Sequence, residues 1–96
     1  MFNEQIEKTK SKITSIRVKL FASAREAVGA GEISLEFSNQ VSCSDLRKKI
    51  IELYPMLNTH KIPFVLAVNH NVIADESTTN ISNQDEVAVL PPISGG

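Results

Sequence analysis

The end of the chain, residues 91–96 (Pro-Pro-Ile-Ser-Gly-Gly), combines a stiff start with a thin tip. The two prolines favour an extended backbone, and the two glycines leave the tip without side chains and free in φ and ψ. Fully extended, six residues reach about 20 Å. Such a segment suits insertion into a narrow pocket of another protein, with the carboxylate of Gly96 at its tip.

A terminal carboxylate is a poor electrophile, so it can act as a carrier only after activation, normally by adenylation. Attack of a sulfur donor on the acyl-adenylate then leaves a thiocarboxylate. A Gly-Gly end alone is usually a frayed terminus or a remnant of cloning. Here the tail directly follows a predicted strand and begins with Pro-Pro, which favours the carrier interpretation for Gly96.

The other reactive side chains are scattered along the sequence. Cys43 is the only cysteine, near a predicted helix N-terminus where a thiolate, and hence a persulfide carrier, is conceivable. No histidine or second cysteine is placed to assist it, so a structural role is favoured. His60 and His70 are isolated, and no Cys/His cluster has metal-site spacing. The acidic pairs 75–76 and 85–86 are typical of loops and turns.

Length and composition fit one small domain in a reducing, cytosolic setting. The chain has 96 residues, 42% of them hydrophobic, and ten basic residues face eleven acidic ones. That balance argues against nucleic-acid binding through a general positive field, and no apolar run is long enough to span a membrane. The start shows no secretory signal or transit peptide. Residues 1–12 are polar and are predicted to form a mobile extension.

Hydrophobic periodicity predicts strands with a helix between them. Alternation predicts strands over about 13–21 and 33–37, as hairpin partners, and a last strand over 87–90. The continuous apolar run 64–68 predicts a buried strand, and a short strand, Val72-Ile73, is predicted after the turn at 69–71.

The main helix is predicted over Leu46–Tyr54. Apolar residues recur every three or four positions there, and Pro55 should end the helix. Ser42 and Asp45 resemble a capping box in front of it. A further helical turn fits residues 22–28.

This order predicts an α+β fold: a mixed sheet with one main helix packed on one face. The ubiquitin-like β-grasp arrangement satisfies the order. The predicted domain covers 13–92, and residues 93–96 form a flexible tail.

Three blocks of sequence resemble the small, sulfur-carrying subunit of molybdopterin synthase, and together they frame residues 13–96. They are Ile-Arg-Val-Lys-Leu-Phe-Ala-Ser-Ala-Arg-Glu-Ala-Val-Gly at 16–29, Leu-Ala-Val-Asn at 66–69, and Asp-Glu-Val-Ala-Val-Leu-Pro-Pro-Ile-Ser-Gly-Gly at 85–96.

The resemblance implies a function and its partners. An activating enzyme uses ATP to adenylate Gly96, where sulfur is installed as a thiocarboxylate. The tail then enters the large subunit of the synthase and gives sulfur to a cyclic pyranopterin precursor. The expected assembly is a heterotetramer, with the catalytic side chains on the large subunit and no cofactor bound to this chain. The tail residues that would contact partners are Leu90, Pro91, Pro92, Ile93, Ser94 and Gly95.

Several alternatives stay open at this point. Another thiocarboxylate carrier, serving thiazole synthesis or tRNA thiolation and protein conjugation, would also end in Gly-Gly. A non-catalytic ubiquitin-like binding module would leave the tail idle. Two interpretations stay open for Leu90: it belongs to an apolar docking patch, or it packs under a loop. Phe21 is a weaker candidate for the same patch. Arg25 and Glu26 fit ordinary surface charge.

Overall fold

The computed structural model describes residues 13–57 and 62–92. The predictions made for residues 1–12, 58–61 (which include His60) and 93–96 concern residues outside these ranges. The elements in chain order are β1 (Thr14–Leu20), α1 (Ala22–Val28), β2 (Glu32–Phe37), β3 (Val41–Ser42), α2 (Cys43–Leu53), a 3₁₀ turn (Pro55–Leu57), β4 (Val65–Val68), β5 (Asn71–Val72), β6 (Asn80–Ile81) and β7 (Val87–Leu90).

Five strands form one mixed sheet in the order β2-β1-β7-β4-β5. β1 pairs antiparallel with β2 and parallel with β7, and β7 pairs antiparallel with β4. The last strand therefore lies in the middle of the sheet, hydrogen-bonded on both sides. The mixed sheet confirms the predicted fold class, and the β1–β2 pairing confirms the predicted hairpin partners.

Helix α2 packs across one face of this sheet. Ser42 accepts a hydrogen bond from the Asp45 amide at 3.1 Å, and the Asp45 carboxylate accepts one from the Ser42 amide at 3.1 Å. This capping box satisfies two of the free N–H groups at the helix start. It confirms the predicted box, although the helix begins at Cys43 rather than at Leu46, and it ends at Leu53, two residues before Pro55.

The core lies between α2 and the inner face of the sheet. Each central strand contributes alternate side chains to it, and α2 contributes one apolar stripe. The fully buried members are Ile16, Val18, Leu20, Val41, Cys43, Leu46, Ile50, Leu57, Leu66, Val87 and Val89. Burial of these side chains is the main stabilising contribution to the domain.

A second, two-stranded sheet was not expected from the sequence. β3 pairs antiparallel with β6 through Val41 and Ile81, and the sequence predicted no strand at either position. Beside it, Arg47 of α2 bonds both carboxylate oxygens of Glu76 at 2.8 Å and stacks over the Phe64 ring. These contacts fasten the long connection between β5 and β7 to the helix.

Within the described residues, no helix is long and apolar enough to cross a membrane.

The segment 22–28 forms a complete seven-residue helix rather than one turn, closed by Gly29 in the left-handed conformation (φ 85°). Gly29 suits this position because a residue without a Cβ adopts positive φ without strain.

Candidate functional site

The strand that leads into the C-terminal tail is anchored on its inner side and open on its outer side. Val87 and Val89 of β7 are fully buried in the core, whereas Ala88 and Leu90 point to the face opposite α2 and are half-buried. Pro91 and Pro92 follow and are exposed. The root of the tail is thus fixed at the centre of the sheet, and the prolines end regular pairing because they lack an N–H.

Phe21 lies next to this root. Its amide donates a hydrogen bond to the carbonyl oxygen of Val89 at 3.3 Å, which continues the β1–β7 pairing by one residue. The chain then turns sharply at Ala22, whose φ is 52°. An alanine at positive φ is strained. The turn carries the following helix away and leaves 43% of the Phe21 side chain exposed.

Together these residues form an apolar patch on the face of the sheet that α2 leaves open. The patch consists of Phe21, Ala67, Val72, Ala88 and Leu90, which line a shallow depression of about 240 Å³. Ala67 and Ala88 face each other in the β4–β7 register. Their small side chains make a low floor between the larger side chains, so the patch can receive a protruding apolar group.

The rim of the apolar patch is charged. Glu86 lies 3.8 Å from the Lys19 ammonium and 3.3 Å from Nε2 of His70. All three side chains are largely exposed, so these contacts contribute little to stability. They place polar groups around an apolar centre, as is typical of protein-binding surfaces.

Asn69 fixes the loop that leads into β7. Its side chain donates to Asp85 and accepts from the Glu86 amide, both at 3.0 Å, and its own amide donates to the Glu86 carbonyl at 2.7 Å. The left-handed backbone at Asn69 (φ 52°) makes this possible, and asparagine tolerates that conformation better than most residues. The Ser82 amide and the Asn69 side chain lower the pKa of Asp85 below its ordinary value.

Cys43 does not have the properties of a sulfur carrier. Its side chain is fully buried in the core. Burial raises the pKa of the Cys43 thiol, and the nearby carboxylates of Glu76 and Asp85 raise it further. These effects outweigh the helix N-terminus, which by itself would favour the thiolate. The structural interpretation of Cys43 is the one that its environment supports.

The remaining candidates are dispersed. Arg25 lies across Gly31, where an added Cβ would be 3.6 Å from Nε, and it is exposed together with Glu26. Glu76 forms an ion pair with Arg47. The Asp75 carboxylate accepts a hydrogen bond from the Ser77 hydroxyl at 2.8 Å. In the part of the chain that the structure describes, no three metal-ligating side chains come together.

Sequence reasoning found Phe21 and Leu90 but missed the floor and far edge of the apolar patch. Ala67, Ala88 and Val72 were treated only as strand residues. A signal for them existed in the pairing of two alanines at outward positions of neighbouring strands. The register that brings them together could not be known before the strand order was known.

An anchored central strand that emerges beside an apolar patch, in a two-layer mixed sheet, defines a domain of the ubiquitin-like β-grasp class. The chain belongs to the ThiS family, which it matches over residues 18–96.

Curated relatives agree with this assignment. The molybdopterin synthase sulfur carrier subunit of Anopheles gambiae is 41% identical, over 90% of this chain and 99% of the relative. The subunit of the same name from Chlamydomonas reinhardtii is 33% identical, over 84% of this chain and 98% of the relative.

Solved structures share the fold. The HVO 2177 protein of Haloferax volcanii superposes with a TM-score of 0.74 at 22% identity, covering 88% of this chain and 89% of its own. The small archaeal modifier protein 1 of Methanosarcina acetivorans gives 0.67 at 28% identity, covering 88% and 98%. A chain from the complex of subunits 1 and 2 of the molybdopterin-converting factor of Helicobacter pylori gives 0.58 at 20% identity, covering 85% and 99%.

Proposed function

We propose that this chain is the sulfur carrier of molybdopterin synthase and that it carries sulfur on the C-terminal carboxylate of Gly96. The observation that supports this most directly is the placement of the tail root. β7 is paired on both sides, and its last residue, Leu90, lies in the apolar patch. Docking of the apolar patch therefore fixes where the tail enters a partner. The curated relatives carry this function in their names.

The chemistry follows from the tail. The Gly96 carboxylate attacks the α-phosphate of ATP on an activating enzyme and releases pyrophosphate, which gives an acyl-adenylate. A persulfide or sulfide donor displaces AMP, and after reduction of any acyl-disulfide the product is a thiocarboxylate. The thiocarboxylate sulfur displaces an oxygen substituent at a carbon of a cyclic pyranopterin precursor, which gives a thioester between the tail and the precursor. Water then hydrolyses this thioester, leaving the sulfur on the precursor and regenerating the carboxylate. The absence of side chains at Gly95 and Gly96 leaves room for phosphate, sulfur donor and channel wall.

The apolar patch is the proposed contact with the large subunit. Phe21 and Leu90 provide exposed apolar area next to a low alanine floor, and such side chains dominate the energetics of many interfaces. Residues 91–96 would reach about 20 Å from the edge of the patch into the partner. Two such heterodimers joined through the large subunits form the proposed heterotetramer.

The same tail must also visit the activating enzyme, which supplies the ATP site. This chain would therefore bind no cofactor itself. A cytosolic setting is proposed for both encounters, because the single cysteine is reduced and buried.

The test is a reconstituted transfer. The full chain is prepared with a verified Gly96 thiocarboxylate, mixed with the large subunit from the same source and the pyranopterin precursor, and assayed for molybdopterin. Product is expected from the thiocarboxylate and none from the plain carboxylate. Matched controls are a chain without Gly96 and a chain with one alanine added after it, both folded and both inactive. No product from the verified thiocarboxylate would refute the proposal.

A second candidate is a carrier that also conjugates to proteins. Its specific support is the 28% identity with a small archaeal modifier protein over most of both chains. In this case the activated Gly96 forms an isopeptide bond with a lysine amine, with loss of the activating group. After cleavage on the carboxyl side of glutamate, a conjugate of this tail leaves residues 87–96 (Val-Ala-Val-Leu-Pro-Pro-Ile-Ser-Gly-Gly) attached to the target lysine. Mass spectrometry of cell extracts for that remnant distinguishes the two, since a dedicated synthase subunit leaves none.

A further inference from the structure

The five-stranded sheet ends at β2, whose outer edge no other described residue covers. This strand occupies the end position of the sheet and pairs only with β1 among the described residues. It is six residues long, with no proline, no lysine and no bulge in its pairing with β1. Natural sheets often protect an edge with such features or with charged side chains, and the charged side chains of this edge are Glu32 and Glu36. The outward backbone groups of the strand are a template for an added strand that complements those charges.

The geometry of the β1–β2 ladder identifies the free backbone groups. The Leu20 amide donates to the Gly31 carbonyl at 2.9 Å, one position beyond the Lys19–Glu32 pair. Hydrogen-bonded pairs alternate along an antiparallel ladder. Ile33, Leu35 and Phe37 therefore bond to β1, and the N–H and C=O groups of Glu32, Ser34 and Glu36 point away from it.

The side chains of β2 define what could bind there. Glu32 and Glu36 are exposed on the open face, four residues apart, and neither forms an ion pair within the described residues. On the inner face, Ile33 and Phe37 are only half-buried at the margin of the core. An added strand would meet two negative charges on one face and apolar surface on the other.

A second copy of the chain, paired symmetrically about Ser34, does not match this edge. Antiparallel pairing of two β2 strands about Ser34 would place Glu32 of one copy opposite Glu36 of the other, at two symmetric positions. Like charges directly opposite each other destabilise a strand pair. The charge pattern instead matches a strand with basic residues at positions i and i+4 and apolar residues at i+1 and i+3.

We propose that the outer edge of β2 binds an extended basic segment of a partner protein by strand addition. In antiparallel register the two basic side chains lie opposite Glu36 and Glu32, and the two apolar side chains cover Leu35 and Ile33. β1 separates this edge from β7, so the segment and the partner of the apolar patch can be bound together. The proposal is independent of the sulfur-carrier function.

The test uses the full chain, labelled with ¹⁵N, and the peptide acetyl-Thr-Lys-Val-Thr-Val-Lys-Thr-amide. We expect saturable binding by NMR titration and slower hydrogen exchange at the amides of Glu32, Ser34 and Glu36. The amides of Ile33 and Leu35 already bond to β1, so their exchange should change little. Absence of binding, or binding that protects other residues instead, would overturn the proposal.

Variants separate strand addition from simple charge attraction. Ser34→Pro removes the central outward N–H but no bond to β1, and proline is tolerated at a sheet edge. It should weaken binding at least about tenfold, whereas Ser34→Val, which keeps the N–H, should bind within about twofold of the original chain. Equal binding to both variants would contradict strand addition.

A charge exchange provides a second test, which does not depend on whether a proline variant folds. The pair Glu32→Lys and Glu36→Lys should lose the lysine peptide and gain a peptide with glutamates in the two lysine positions. Failure of this exchange would refute the charge match. Protection of the three amides in the free chain would also overturn the proposal. If that protection depended on concentration, a second copy would be the occupant, and if it did not, another segment of the same chain.

Discussion

The open face of the sheet has two halves of different chemistry, built on the same backbone. Over β7, β4 and β5 the outward residues are small or apolar, and they form the apolar patch. Over β1 and β2 the outward residues are polar or charged and all exposed: Ser15, Arg17, Lys19, Glu32, Ser34 and Glu36. The inner face is uniformly apolar across both halves, so core formation does not require the difference. The outer pattern is therefore available for binding, and the following predictions compare the two halves and the turns beside them.

The largest expected effect is on docking. Phe21→Ala removes the most exposed aromatic group of the apolar patch, and the affinity for the large subunit should fall at least about thirtyfold. The matched control on the charged half, Arg17→Ala, should change the affinity less than threefold. Titration calorimetry with the large subunit measures both. Equal losses would mean that the two halves do not differ in the way described.

The boundary between the halves depends on Asn69. Asn69→Ala removes two side-chain hydrogen bonds and leaves an alanine at positive φ, so the free energy of unfolding should fall by about 1–2 kcal/mol. Glycine adopts positive φ without strain, so Asn69→Gly should lose less of the free energy of unfolding than Asn69→Ala. Asn71→Ala, in the same turn, removes only one 3.3 Å contact and should cost less than about 0.5 kcal/mol. Urea denaturation distinguishes the three.

Acid should loosen the loop before β7. The pKa of Asp85 in the folded chain lies below its ordinary value of 3.8. The carboxylate therefore stabilises the fold above that value, and this contribution is lost as the pH falls through the lower folded pKa. Asp85→Ala should flatten the decline of stability as the pH falls below the ordinary value of 3.8. Thermal denaturation across this range provides the measurement, and an unchanged slope would contradict the assignment.

The smallest effect concerns the turn that exposes Phe21. Ala22→Gly relieves positive φ and should raise the free energy of unfolding by up to about 1 kcal/mol. Ala27→Gly, inside α1, should lower it by about 1 kcal/mol, because glycine is a poor helix former. Chemical denaturation of the pair tests whether strain at residue 22 is real. A loss of stability in Ala22→Gly would show that it is not.

Local rules predicted most of the fold. Period-two alternation placed β1, β2 and β7, and the Ser42–Asp45 spacing marked the start of α2 within a few residues. The β3–β6 pairing was missed because two-residue strands have no periodicity of their own. Their pairing comes from the long connection, which Arg47 and Glu76 hold against α2.

The candidate site was predictable only in part. Leu90 and the two prolines could be predicted from the sequence, because Leu90 is the last residue of the predicted strand and the prolines follow it directly. The rest of the apolar patch joins residues that are distant in sequence, such as Phe21 and Val72. Their proximity depends on the strand order, in which β7 is inserted between β1 and β4. Sequence periodicity tells which face a residue occupies but not which strand lies beside it.

The position of β7 also determines how the domain responds to mechanical load. A force that draws the tail along the strand axis acts in shear on the ladders that join β7 to β1 and β4. In shear, the hydrogen bonds of both ladders share the load at the same time, whereas a strand peeled from a sheet edge breaks them one after another. The domain should therefore resist a pull on its tail better than it would if the tail followed an edge strand.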